Sequence, residues 1–255
     1  VERRGLRYAP GARGLLDLTL PRDAGAGTPL LVFFHGGAWQ VGSRGHYAFL
    51  ARALAAEGIA VAVPDYRLWP DARWPDFLQD GAAALAWLRG SGQAPGGPLF
   101  VMGHSAGGFI AASLALDPRW LAEAGLPGGR QALAGGVLVS APIAWQPDDE
   151  PVRSIFARAP GGKIQAVPDA AALAGAPPLL LLHGTGDRVV GAFHAERLAD
   201  ALRANGRAAR LHLLEGAGHI APMVALSAPA RRYGFAKPRA WQEVVGFLRA
   251  PPGGT

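Results

Sequence analysis

Cysteine is missing from all 255 residues. Disulfides, thiolate-bound metals and a cysteine nucleophile are thereby excluded, and the redox state of the compartment leaves no trace. Lysine occurs only at Lys163 and Lys237, so the net charge of +6 rests on arginine. Those arginines are scattered, Arg231-Arg232 being the densest run, and no basic stripe of the kind that holds nucleic acid is formed. No apolar run approaches the roughly 20 residues of a membrane span. Half of the chain is hydrophobic, however, which excludes disorder and leaves a globular chain able to bury a substantial core. There is no H-E-x-x-H, no complete phosphate loop and no dinucleotide fingerprint, and Asp148-Asp149-Glu150 reads as a solvated loop patch, so neither metal nor cofactor is expected. The first residue is Val1, not Met, which suggests trimming or processing; compartment and oligomeric state stay open.

Short β-rich runs alternate with Ala/Leu-rich helical stretches along the chain, as in a mainly parallel sheet of about eight strands with helices on both faces. Strands are expected at 15–20, 30–35, 59–64, 99–103, 136–141, 179–184 and 210–216, several of them apolar without alternation, as strands covered on both faces are. Helices are expected around 46–57, 75–89, 106–116, 192–205 and 238–249. In the second, Pro75 suits the first turn, Phe77, Leu78, Gly81, Ala82, Leu85 and Leu88 mark one face, and Gly90 suits a left-handed cap. No composition shift divides residues 1–255, which read as a single domain. The stretch 141–176, rich in proline and without period, reads as a partial lid, a pocket wall or a surface excursion.

"GHSAG" at 103–107 fits G-x-S-x-G and lies between the expected strand "LFVM" and the helical "GFIAASLAL". A serine at such a turn projects its hydroxyl from the carboxyl edge of the sheet, and small neighbours let the backbone turn sharply. A neutral serine needs a base, and the base needs an orienting acid. Asp187 follows the strand "LLLLHG" and His219 follows "RLHLLEG", so both emerge at the edge where Ser105 emerges. His35, His104 and His183 sit beside motif glycines or at strand ends and suit loop shaping. His46, His194 and His212 belong to helix or strand interiors, Glu215 lies within the loop of His219, and Asp200 lies in a helix. "HGGAW" at 35–39 follows the strand "LLVFF". Its glycines let backbone N–H groups gather at one point, and the amides of Gly37, Ala38 and Ala106 are expected to form an oxyanion hole, with Gly36 as a turn residue. Trp39, Phe109 and Trp145 are candidates for pocket walls or for packing.

With "HGGAWQVGS", "VAVPDYRLWP", "GHSAGG", "HGTGDRVV" and "GAGHIAPMVAL" in this order, the sequence resembles the α/β-hydrolase superfamily. Within it, the likeness is to the esterases related to hormone-sensitive lipase and kynurenine formamidase, and more closely to carboxylesterases of the feruloyl or acetyl esterase-like type. The resemblance implies an α/β-hydrolase fold and a serine esterase with Ser105, His219 and Asp187 as nucleophile, base and acid. It also implies a small-molecule ester substrate and no cofactor. Only 34 mostly strand-like residues precede His35, so a large N-terminal cap is not expected and short-chain acyl esters are the expected substrates. Amide or formamide hydrolysis uses the same groups and stays open, and the fold also hosts binding proteins without catalysis.

Overall fold

A computed structural model describes residues 1–227 and 238–250. The chain opens with β1 (Glu2–Arg7) and β2 (Leu15–Thr19), then runs through β3 (Leu30–Phe34), β4 (Ala60–Pro64), β5 (Leu99–His104) and β6 (Leu133–Val139). A small hairpin pair, β7 (Ala144–Trp145) and β8 (Ile164–Gln165), precedes β9 (Leu179–Gly184) and β10 (Ala209–Leu214). Among the described residues, eight of these form one sheet in the order β1-β2-β4-β3-β5-β6-β9-β10, antiparallel at β1 and β2 and parallel from β4 onward. Every residue of β3, β4, β5 and β9 is buried, as their unbroken apolar runs require.

The helices are α1 (Ala48–Ala56), α2 (Asp76–Gly90), α3 (Ala106–Leu116), α4 (Pro118–Glu123), α5 (Val152–Ile155), α6 (Ala170–Ala174), α7 (Phe193–Ala204), α8 (Ala221–Ala225) and α9 (Pro238–Arg249). The sheet divides the core in two. On one face Phe77 and Leu85 of α2, Ile110 and Leu114 of α3 and Leu198 of α7 pack together; on the other lie Leu54 of α1, Met223 of α8 and Val244 and Leu248 of α9. Alternate residues of one strand feed opposite faces: Val32 and Phe34 the first, Leu31 and Phe33 the second. All eleven residues of α3 are buried. A helix enclosed on every side has no polar stripe to display, which is why "AGGFIAASLAL" carries little amphipathic pattern.

Three expectations need correction. Gly90 is the last residue of α2, not its left-handed cap. Ser91 continues in right-handed geometry, its N–H donating to the Trp87 carbonyl at 2.8 Å, and the positive φ of 67° falls to Gly92. Pro75 is the residue before the first helical position. The sixth strand begins at Leu133, three residues early, and ends at Val139. Strand β1 was not expected: "ERRGLR" is charged and mostly exposed, and pairing with β2 through the backbone is independent of any apolar pattern. The 141–176 stretch is built from β7, α5, β8 and α6, and Arg130 ties it down by donating from Nη1 to the carbonyls of Leu116 and Ala172, both at 2.7 Å. Arg231-Arg232 and Lys237 lie outside the described residues.

Candidate active site

Ser105 occupies the turn between β5 and α3 with φ 54° and ψ −120°, a conformation that L-residues adopt only under strain. Its N–H is fixed to the Val139 carbonyl at 2.9 Å. The flanking glycines are steric necessities. A Cβ at Gly103 would lie 2.0 Å from the Gly107 carbonyl oxygen, and one at Gly107 would lie 2.1 Å from the Phe34 carbonyl oxygen. The backbone therefore turns tightly enough to present the serine hydroxyl at the carboxyl edge, with the first amides of α3 beside it.

The loops after β9 and β10 bring Asp187 and His219 to that hydroxyl. His219 Nε2 is 2.9 Å from Ser105 Oγ, and His219 Nδ1 is 2.8 Å from Asp187 Oδ2. An ionised carboxylate can only accept, so Nδ1 carries the proton, and Nε2 is left to accept from the serine hydroxyl. The other Asp187 oxygen accepts from the amides of Val189 and Val190, each at 2.9 Å. Burial works to raise the Asp187 pKa, but the Val190 amide, His219 and the Val189 amide together outweigh it and hold the carboxyl below its usual range. His183, fully buried, places Nε2 3.3 Å from Asp187 Oδ2 while donating to the Val190 carbonyl at 2.8 Å, and burial lowers its own pKa.

The loop after β3 closes the other side. A Cβ built on Gly36 would be 3.4 Å from Ser105 Cβ, so this loop runs directly against the serine. Gly37 has φ 127° and no room for a side chain, since a Cβ would meet the Val41 carbonyl oxygen at 2.0 Å; Ala38 and Trp39 follow with φ 50° and 59°. The amides of Gly37 and Ala38 are carried on this strained turn, and that of Ala106 on the serine turn opposite. A polar frame supports the loop. The His35 ring stacks on Tyr66 at 4.3 Å with Nδ1 2.8 Å from the Gly36 carbonyl oxygen, Tyr66 donates to the His35 carbonyl at 2.8 Å, and Arg13 donates to the Gly42 carbonyl at 2.9 Å. Asp65 receives the Arg44 amide at 2.8 Å and the Arg44 guanidinium.

His219 is thus in direct contact with both Ser105 and Asp187, and the segments carrying Gly37, Ala38 and Ala106 flank them. The three aromatic candidates separate. Trp39 and Phe109 are only 3% and 0% exposed and are packing, not free wall: with Phe77 and Phe156 they form one aromatic cluster, Trp39 lying 4.8 Å from Phe156 and 5.7 Å from Phe109. Trp145 is 39% exposed on β7. Sequence reasoning did not find Phe156, whose surroundings lack any period, nor Arg13, which carries no local signal. The Asp65 and Tyr66 pair was visible as part of "VAVPDYRLWP", but its task of holding the loop depends on contacts far along the chain. No cluster of three or more His, Asp or Glu able to hold a metal occurs among the described residues, and no described helix is long and apolar enough to cross a membrane.

The family of the alpha/beta hydrolase fold matches residues 31–161, just over half of the chain and the part that carries "HGGAW" and Ser105. The chain belongs to this family. The prolyl oligopeptidase family, in addition, matches residues 161–242, the part that carries Asp187 and His219. Among curated proteins the hydrolase is 34% identical over 243 residues to Esterase LipC of Mycobacterium tuberculosis, covering 86% of this chain and 60% of that protein. It is 31% identical to a probable isoprenylcysteine alpha-carbonyl methylesterase of Oryza sativa, covering 85% and 57%. The chain therefore spans about three-fifths of the length of these relatives. Among solved structures, the apo form of Thermogutta terrifontis esterase 2 superposes with a TM-score of 0.78 at 24% identity, covering 96% of this chain and 93% of that one, a likeness of fold.

Proposed function

We propose that this α/β hydrolase cleaves carboxylic esters through an acyl-enzyme intermediate on Ser105. His219 removes the serine proton as the hydroxyl attacks the ester carbonyl, and the developing oxyanion is held by the amides of Gly37, Ala38 and Ala106. His219 then delivers its proton to the leaving alcohol and, in the second half, activates the water that releases the acid. Asp187 keeps the imidazole in the tautomer with Nδ1–H and stabilises the cation that forms on it. The observation that carries this reading is the unbroken line from Ser105 Oγ through His219 to Asp187, with contacts of 2.9 and 2.8 Å. Relatives that bear the names esterase and methylesterase over most of this chain favour esters over the formamide alternative. The 141–176 segment serves as a pocket wall beside this site within one domain, because Phe156 is packed into the same cluster as Trp39. Short acyl chains suit a site whose aromatic side chains Trp39 and Phe109 are already taken up in packing.

The test is hydrolysis of a nitrophenyl ester series together with stoichiometric fluorophosphonate labelling. Ser105→Ala is expected to abolish labelling and reduce turnover by several orders of magnitude. Full ester turnover in that variant sinks the assignment, and a rate maximum at long acyl chains overturns the short-chain reading.

A further inference from the structure

His219 is held at both ring nitrogens by groups already described, but a line of contact between Ser105 and Asp187 requires the backbone of His219 to stay in place as well. That backbone belongs to a loop after an edge strand, β10, with Ala217, Gly218 and Ala221 around it, and its own turn hydrogen bonds are few. Two buried side chains, one at the end of β5 and one just after β6, reach it. His104 Nε2 lies 3.1 Å from the His219 carbonyl oxygen, and Ser140 Oγ lies 3.2 Å from the same oxygen. Both donors are buried, His104 4% exposed and Ser140 0% exposed. A carbonyl oxygen has two lone pairs, and here both have a side-chain donor.

The two donors are themselves fixed by the strands next to the serine. His104 is the last residue of β5 and the immediate neighbour of Ser105. Ser140 follows β6, takes the left-handed φ of 48°, and anchors its own N–H on the Leu182 carbonyl of β9 at 2.9 Å. A non-glycine residue in that conformation is strained, and the strain aims its hydroxyl at His219.

We infer that His104 and Ser140 are positioning residues for the proposed ester hydrolysis: together they clamp the His219 carbonyl and so hold the imidazole in register between Ser105 and Asp187. The inference rests on the function proposed above. Neither residue touches substrate; each acts through the backbone of the base. The clamp also has to tolerate charge, because the His219 ring becomes cationic during turnover and the His104 ring centre is 5.0 Å from it. Burial pushes the His104 pKa down to about 4, so at neutral pH it is an uncharged donor and adds no repulsion. The preference of the His219 carbonyl for a donor also selects the tautomer of His104 with the proton on Nε2.

The experiment measures kcat and KM on one short-chain nitrophenyl ester for His104→Ala, His104→Gln, Ser140→Ala and the double alanine variant, with melting temperature recorded for each. Ser140→Ala keeps the Cβ, and with it the backbone strain, and removes only the hydroxyl. With one donor left, each alanine variant is expected to lose ~3- to 30-fold in kcat, and the double variant ~100-fold or more, KM staying within ~2-fold throughout. Glutamine, whose amide nitrogen can take the place of Nε2, is expected to restore kcat to within ~3-fold of the wild type. A merely structural role predicts otherwise: kcat unchanged in variants that stay folded, or loss in step with melting temperature and no rescue by glutamine. Either result overturns the clamp. A wild type that neither hydrolyses the ester nor reacts with fluorophosphonate sinks the proposed function instead, which keeps the two failures apart.

Discussion

The two sides of Ser105 are held in place by different physics. The loop after β3 is gripped from behind by packing: Trp39 is enclosed by Phe77, Phe109 and Phe156, and a hydrogen-bonded frame of Arg13, Arg44, Asp65 and Tyr66 fixes the turn. The loops that bring Asp187 and His219 are tied at the site by hydrogen bonds: two amides on the carboxylate, one imidazole between serine and carboxylate, and two side chains on one carbonyl. The division suits the roles proposed for the two sides. An oxyanion hole has only to stand still, and dense packing with strained backbone achieves that. In the proposed cycle His219 gains and loses charge beside a carboxylate that stays ionised, and polar contacts adapt to charge where apolar ones do not.

If that contrast is right, damage on the polar side changes turnover far more than stability. Asp187→Asn is expected to lower kcat by roughly 10⁴-fold while the fold melts close to the wild-type temperature, because an amide cannot hold the imidazole in the required tautomer. A loss below tenfold breaks the comparison. On the other side, Gly37→Ala forces a methyl against the Val41 carbonyl, with φ already at 127°. The shifted amides are expected to cost ~10²-fold in kcat for esters, with fluorophosphonate labelling slowed in parallel.

Packing damage should invert the pattern. Phe156→Ala opens a cavity beside Trp39 and is expected to lower folding stability by about 3–5 kcal/mol, read by denaturant unfolding, with a much smaller effect on kcat at temperatures where the variant stays folded. The last expectation is the pH dependence of the folded state. Burial lowers His35, His104 and His194 from 6.5 to about 4, so between those values the unfolded chain binds protons that the folded chain does not. Their contribution is fully present above pH 6.5 and is lost as the pH falls toward 4. Unfolding midpoints that stay level from pH 7 to pH 4 contradict it.

Much of the site was legible because its parts are local. "GHSAG" is a strand, a turn and a helix in succession, and Asp187 and His219 each stand just beyond an apolar run, so alternation alone places all three on one edge. The fold was legible for a similar reason: β3, β4, β5 and β9 are unbroken apolar segments whose burial on two faces is written in their composition. What escaped depends on contacts across the chain. Strand β1 is charged and exposed and exists through pairing with Leu15–Thr19; Arg13 meets the loop of Gly42; Phe156 meets Trp39 from 117 positions away. Trp39 and Phe109, named as candidates for wall or packing, could not be divided between the two until their neighbours were known. The Gly90 cap failed on a smaller scale, since one further right-handed residue moved the left-handed position to Gly92.

The crowding around Ser105 bears on how such a chain tolerates change. At Gly103 and Gly107 the space is closed by main-chain oxygens rather than by movable side chains, so no repacking elsewhere can admit a methyl group there. In a library of all single substitutions, those two positions should stand out as empty rows, alanine included, while nearby Ala112 and Ala115 accept exchange in proportion to the volume added. What looks like a signature on the printed sequence is, in the folded molecule, the outline of places where one carbon atom is too many.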